Sequence, residues 1–263
     1  MTRLIWITDP HLDFLEPGQT KVFLREVADV AGGDAVVITG DITVARVLAG
    51  TLHLIRESIP RVFFVLGNHD AYGGSIAESM EVASRFPGYL TALIDPVMLT
   101  PDTCLIGHDG WADGRLGNYS ASPVMLNDYV RIQEFAGLSR AGILAKLHAL
   151  GDMASAAVRV LLTRALKSYS HVILATHVPP VREDCWQGRK ESFDDWAPHF
   201  FSKSLFDVLL EIMGDHPGHR LTVLGGHIHR SWVYRPVGNI TVHTGSAEYR
   251  KPAIQKVFSV EDW

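Results

Sequence analysis

The stretch Val62-Phe63-Phe64-Val65-Leu66-Gly67-Asn68-His69-Asp70 decides how this chain is read. Its first five residues are apolar, with β-branched and aromatic side chains, the signature of a strand buried on both faces. Gly67 then allows a sharp turn and a close approach, and an amide, an imidazole and a carboxylate follow at once. An ordinary strand exit would also use Asn, Gly and Asp as turn formers. At the carboxyl end of a strand in an α/β sheet, however, such groups line a ligand crevice, and the chain repeats the arrangement four more times.

Upstream, residues 3–7 are predicted as a strand ending in Thr8-Asp9-Pro10-His11, and Ala35-Val36-Val37-Ile38 as a second ending in Thr39-Gly40-Asp41. Helical spacing of apolar residues over 21–30 and 44–58 separates the three strands. This β-α-β-α-β opening predicts parallel strands with right-handed crossovers and puts all three exits at one edge of a sheet. Downstream, strands are predicted near 97–99 and at 104–106, the latter leaving through Gly107-His108-Asp109-Gly110-Trp111. Two more, at 171–175 and 221–224, leave through Thr176-His177 and Gly225-Gly226-His227-Ile228-His229. Helices are expected over 76–85, 124–136, 139–168 with a break near Gly151, and 203–213. The C-terminal strands at 231–235, 240–243 and 254–258 alternate with turns, as antiparallel strands do.

With 263 residues, 47% hydrophobic and 20% charged, the composition is that of a globular protein. No linker or repeat divides it, so a single domain over 1–263 is expected. A formal charge of −5 argues against a broad basic surface, and no stable nucleic-acid partner is expected. Cys104 and Cys185 have neither zinc-motif spacing nor a disulfide framework around them. Leu4-Ile5-Trp6-Ile7 is too short for a signal-peptide core or a membrane span, so the expectation is a cytoplasmic protein without a membrane partner.

Five strand ends thus deliver Asp9 and His11, Asp41, Asn68 with His69, His177, and His227 with His229. In extended backbone the i, i+2 pairs Asp9/His11 and His227/His229 would each point to one side. Carboxylate, imidazole and amide oxygen without thiolate suit hard or borderline divalent ions rather than structural zinc. Seven such groups are too many for one tetrahedral ion and fit two ions sharing a bridging carboxylate, a recurrent device for phosphoryl transfer.

In this order, Asp9-x-His11, Gly40-Asp41, Gly67-Asn68-His69-Asp70, Thr176-His177 and Gly226-His227-x-His229 resemble the calcineurin-like metallophosphoesterase superfamily across residues 9–229. The resemblance implies an α/β fold, a four-layer α/β/β/α sandwich of two mixed sheets flanked by helices. A lid insertion of helix and loop would come from 108–150 and 181–200. It implies that Asp9, His11 and His229 bind one metal and that Asn68, His177 and His227 bind the other, with Asp41 bridging. His69 is then the catalytic group that protonates the leaving oxygen or stabilises the transition state, tasks suited to an imidazole, and Asp70 the carboxylate that orients its neighbours. The cofactors would be two divalent or trivalent ions, for which Mn, Fe, Zn and Ni all accept these ligands.

Protein Ser/Thr phosphatases of that superfamily carry a second Asp and an Arg after the second strand. Here the stretch reads Gly40-Asp41-Ile42-Thr43-Val44-Ala45-Arg46. The chain looks more like the compact bacterial members, which include cyclic-nucleotide phosphodiesterases. The expected activity is hydrolysis of a small phosphodiester, a cyclic nucleotide among the candidates, by attack of a metal-bound hydroxide. The alternatives are a phosphomonoesterase acting on a small metabolite or nucleotide and, in another class, a non-catalytic scaffold. Tyr72, His108 and Trp111 are the candidate substrate contacts. The aromatic stretch holding Trp186, Phe193, Trp196, His199 and Phe200 is a candidate lid or homo-oligomer contact.

Overall fold

A computed structural model describes residues 2–91, 93–181 and 192–260. The predicted opening is present as β1 (Arg3–Ile7), α1 (Pro17–Ala31), β2 (Ala35–Thr39), α2 (Leu48–Ser58) and β3 (Val62–Val65). α1 begins four residues earlier than its apolar spacing suggests. Pro17 sits at its first turn, and the Glu16 and Gln19 side chains cap it reciprocally with the backbone. There follow α3 (Ile76–Ser84), β4 (Val97–Met98), β5 (Thr103–Gly107), α4 (Asp128–Arg131), α5 (Arg140–Ala165) and β6 (His171–Ala175). The chain ends with α6 (Phe193–Phe200), α7 (Lys203–Gly214), β7 (Arg220–Gly225), β8 (Trp232–Val237), β9 (Ile240–Thr244) and β10 (Ile254–Ser259).

The strands form two mixed sheets, β10-β1-β2-β3 and β4-β5-β6-β7-β9-β8. β1, β2 and β3 are parallel, as are β5, β6, β7 and β9. The C-terminal strands therefore depart from simple antiparallel alternation. β8 and β9 form an antiparallel hairpin, but β9 lies parallel to β7, and β10 crosses to the other sheet to pair antiparallel with β1.

Alternating residues assign the layers. Ile5, Ile7, Val36, Ile38 and Phe64 face outward against Leu24, Val27, Leu52 and Ile55 of α1 and α2. Val172, Leu174, Leu221 and Val223 face outward against Val158, Leu162, Leu205 and Leu209 of α5 and α7. Leu4, Trp6, Val37, Leu105, Ile173 and Leu224 fill the space between the sheets. The result is an α/β sandwich of two mixed sheets flanked by helices. Among the described residues, no helix is long and apolar enough to cross a membrane.

Two expectations fail in the region between β5 and α7. The helix expected over 124–136 is a single turn, α4. Tyr129, Ile132 and Phe135 are buried at helix-like spacing, yet the backbone bonds outward: Gly73 N–H donates to Arg131 O at 2.9 Å and Gln133 N–H to Gly74 O at 3.0 Å. α5 runs without the break expected at Gly151. That glycine makes room for Asp113, whose Cβ would lie 2.4 Å from a Cβ at position 151. The excursion at 181–200 contains a helix, α6, while Trp186 lies outside the described residues.

Candidate metal centre

All five strand ends meet. Asp9 and His11 follow β1, Asp41 follows β2, Asn68 and His69 follow β3, His177 follows β6, and His227 and His229 follow β7. Parallel strands put these ends at the same edge of each sheet, and stacking the sheets brings the two edges together.

Asp41 is the centre of the group. Its Oδ2 lies 3.7 Å from His11 Nε2, and its Oδ1 lies 3.3 Å from His177 Nε2. On one side, donor atoms of Asp9, His11, Asp41 and His229 all lie within 4.8 Å of one another. On the other, Asn68 Oδ1 is 3.0 Å from both His177 Nε2 and His227 Nδ1. One carboxylate thus faces two clusters of lone-pair donors with its two oxygens, the arrangement a bridging ligand requires.

The donors fit cations. His11 Nε2 and His229 Nε2 point at each other across 3.2 Å, a contact that two neutral imidazoles satisfy only if one ring donates. The tautomers of two other rings are set by hydrogen bonds at the far nitrogen. His177 donates from Nδ1 to Thr39 O at 2.9 Å, and His227 donates from Nε2 to His199 O at 3.2 Å. Each turns its other ring nitrogen toward Asn68 Oδ1. Burial disfavours a charge on His177, but the adjoining Asp41 and Asp9 carboxylates outweigh it and raise the pKa to about 10. Burial and the neighbouring His177 take His227 the other way, to about 3.

The backbone at the site is unusual. Asp9, His11, Asp41, His227 and His229 all have left-handed conformations, with φ of 45°, 41°, 49°, 69° and 50°. The i, i+2 pairs therefore converge through tight left-handed turns rather than through the alternation of extended chain. Such conformations cost free energy in non-glycine residues and persist where the surroundings enforce them. Here the ligands hold one another: His11 N–H donates to Asp41 O at 3.0 Å, His227 N–H to Asp9 Oδ1 at 2.9 Å, and His69 N–H to Asp41 Oδ1 at 2.9 Å. A Cβ at Gly67 would fall 2.1 Å from Asp41 Oδ1, and one at Gly226 would fall 2.1 Å from Asp9 Oδ2. These two glycines leave space for the carboxylates.

The sequence matches the calcineurin-like phosphoesterase family over residues 2–231. The chain belongs to this family. Its members are metal-dependent hydrolases of phosphoesters with a dinuclear centre, and the donor set above has the composition such a centre needs. Over 82 residues the chain is 38% identical to UDP-2,3-diacylglucosamine hydrolase of Xanthomonas axonopodis pv. citri (strain 306). That match spans 27% of this chain and 33% of that protein. Two solved structures share the fold. A dimetal phosphatase from Danio rerio has a TM-score of 0.57 at 14% identity, covering 95% of this chain and 89% of that one. TT1561 of Thermus thermophilus has a TM-score of 0.52 at 15% identity, covering 93% and 89%.

Around this candidate centre the remaining candidates separate. His69 follows the candidate ligand Asn68, its Nε2 3.9 Å from Asp41 Oδ2 and its side chain 15% exposed at the cleft. The ring stacks on Tyr72 with centroids 4.1 Å apart. Asp70 points away from the cleft and is fully buried. It accepts from Gly67 N–H and Thr43 N–H at 2.8 Å each and from Ile42 N–H at 3.3 Å, so it ties the exits of β2 and β3 together. Burial and the nearby Asp41 charge push its carboxyl up to about 8 against those three donors.

Tyr72 is a wall of the cleft, but His108 and Trp111 are not among its described lining residues. His108 Nδ1 accepts from Gly110 N–H at 3.1 Å, and burial lowers its pKa to about 4. Trp111 packs on Phe135, with ring centroids 6.0 Å apart, in the small core beneath α4 and α5. Sequence reasoning missed two residues that do reach the cleft. Asp128, from α4, accepts from Asn68 Nδ2 at 2.8 Å and from the Tyr72 hydroxyl at 2.5 Å. Tyr249, 44% exposed, leans over His11 and His229 with centroids 4.7 and 5.4 Å away. The only signal for Tyr249 was its place three residues after the Thr244-Gly245-Ser246 strand exit, and nothing in the sequence marked Asp128.

Proposed function

We propose that this phosphoesterase hydrolyses small phosphodiesters. The observation that carries the reading is the charge of the cleft. It measures about 280 Å³, and its described lining contains no lysine or arginine. A phosphomonoester dianion is ordinarily gripped by guanidinium or ammonium groups, whereas a diester brings a single negative charge. Arg131 lies over the ring of Tyr72, 4.7 Å from its centroid, and is not part of the described lining. The Xanthomonas relative is named for a UDP-linked substrate, which agrees with a phosphate carrying substituents on both sides.

The residues have the following parts. Asp9, His11 and His229 would hold one ion and Asn68, His177 and His227 the other, with Asp41 shared between them. Ions bound there would draw charge from the phosphoryl oxygens and acidify water. His69, at the open side of Asp41, is placed to give a proton to the departing oxygen. Tyr72 stacks against that ring and, with Asp128, fixes its setting. Tyr249 and Phe200 supply apolar walls on which a planar substituent of the diester can rest. A cyclic nucleotide is one substrate of this kind.

The test compares bis(p-nitrophenyl) phosphate with p-nitrophenyl phosphate, with Mn²⁺ and with chelator, for the wild type and Asp41→Ala. Metal-dependent turnover that favours the diester and disappears in the variant supports the reading. A preference for the monoester would move the substrate class while leaving the site intact. Two bound ions with no turnover of any phosphoester would favour a non-catalytic scaffold.

A further inference from the structure

The layer between the sheets is apolar over most of its extent, but one corner of it is not. On β6, His171 shares the inward face with Ile173, and on β7 Thr222 shares it with Leu224. On β9 the inward positions are Thr241 and His243, since residues two apart point the same way. His171 is 1% and Thr222 8% exposed, with His171 Nε2 and Thr222 Oγ1 3.0 Å apart. His243 stands edge-on to Trp6 and Phe258 of the opposite sheet, at centroid distances of 6.4 and 5.4 Å. His171 and Thr222 are buried and Thr241 and His243 half-buried, so this corner of the interior presents a polar floor.

A cavity of about 390 Å³ opens onto this row. Three cations border it: Arg220 at the start of β7, Arg235 on β8 and Lys256 on β10. No carboxylate is among its described lining residues, and none of the three cations forms an ion pair among the described residues. Lys256 instead lies over the Phe258 ring, 4.8 Å from its centroid. Burial, with Lys256 and Arg235 nearby, holds His243 near 4, and burial with Arg220 nearby does the same for His171. The positive charge of the cavity therefore comes from the three cations alone at neutral pH. In a chain of net charge −5, three solvent-exposed cations thus border one polar floor with no carboxylate in its described lining, a local positive field that favours an anion.

We infer that this intersheet cavity is an anion site that takes the phosphate group of a small molecule, separate from the metal centre. Two guanidinium groups match phosphate geometry, hydroxyls of Thr222 and Thr241 add donors, and the volume suits a metabolite rather than a macromolecule. β7 begins at Arg220 and exits into His227, so the two sites lie at opposite ends of the same strand, roughly 20 Å apart at strand rise.

The test measures thermal unfolding in chelator, so that metal-held phosphate does not contribute. The proteins are the wild type, Asp41→Ala, and the combined Arg220→Gln, Arg235→Gln, Lys256→Gln variant. Inorganic phosphate is titrated against sodium chloride of equal ionic strength, with AMP as a second probe. Phosphate should raise the midpoint of the wild type and of Asp41→Ala alike, and the triple variant should need at least about tenfold more for the same shift, one lost charge-assisted contact being worth that much. A response to AMP at lower concentration than to phosphate would assign the site to a phosphorylated metabolite, and the reverse order to the free ion. If the triple variant does not fold, Arg235→Gln and Arg235→Lys decide, the glutamine losing the response and the lysine keeping most of it. An unchanged response in the variants, an equal response to chloride, or none in the wild type would overturn the site.

Discussion

Asn68 can present its carbonyl oxygen to His177 and His227 only if another group takes its amide, and Asp128 is that group. An asparagine side chain is nearly symmetric in shape, so the partner at its far end sets which atom faces the site. Replacing Asp128 by Asn removes the obligatory acceptor and lets the Asn68 amide turn over. Asp128→Asn should therefore lower kcat/KM and the affinity for metal by about 10- to 100-fold, as losses of ligand-orienting partners do, while far-ultraviolet circular dichroism stays unchanged. Full activity with full metal content would show that Asp128 is only a lid residue. That the seven candidate ligands belong together was legible in the sequence because their types and order carry the chemistry. Asp128 was not, because it enters from a one-turn helix whose position depends on backbone bonds between residues 131–133 and the Gly73-Gly74 turn.

At the scale of elements, α5 and α6 show what periodicity misses. Gly151 reads as a helix breaker, since glycine in a helix interior costs about 1 kcal/mol against alanine. In the structure α5 continues through it, and the space above it holds Asp113, whose carboxylate accepts from Ser204 N–H at 2.7 Å at the start of α7. Propensity alone says that Gly151→Ala stabilises. The contact says the opposite, and it decides, because overpacking of a closed site costs about 1–3 kcal/mol. Urea unfolding of Gly151→Ala should show a lower midpoint than the wild type, and a rise would refute the contact. The last turn of α6 carries His199, 1% exposed, which meets the Tyr129 hydroxyl and Ser122 Oγ and gives its carbonyl to His227. Burial, with Arg140 as a lesser cause, lowers its pKa to about 4 from 6.5. The unfolded chain then takes up this proton before the folded one does, so stability is complete above pH 6.5 and falls as pH drops toward 4. From those two values the loss is roughly 2 kcal/mol at pH 5. His199→Gln should unfold with a smaller difference between pH 7 and pH 5 than the wild type by about that amount, and an identical difference would remove His199 from the account.

For the molecule as a whole, the metal centre is also a joint. β1, β2 and β3 of one sheet supply Asp9, His11, Asp41 and Asn68, and β6 and β7 of the other supply His177, His227 and His229. Among the described residues no strand is shared between the sheets, so ions held by both would fasten the edge where five candidate ligands sit in left-handed backbone. The order of motifs revealed this convergence. It did not reveal where β10 pairs, since its crossing to β1 depends on pairing between chain ends. Ligands that bind only the folded state stabilise it by about 2.7 kcal/mol at a hundredfold excess over Kd, and in a domain of this size each kcal/mol moves Tm by about 2–4 °C. Saturating Mn²⁺ should therefore raise Tm by about 5–10 °C over the chelated protein. Asp41→Ala, which lacks the carboxylate that faces both clusters, should lose most of that difference, whereas Tyr249→Ala, which removes a wall and no ligand, should keep it. A metal-independent Tm in the wild type would mean that packing alone fixes the two edges. In that case the left-handed conformations are held by the hydrogen bonds among Asp9, Asp41, His69 and His227, and not by the ions.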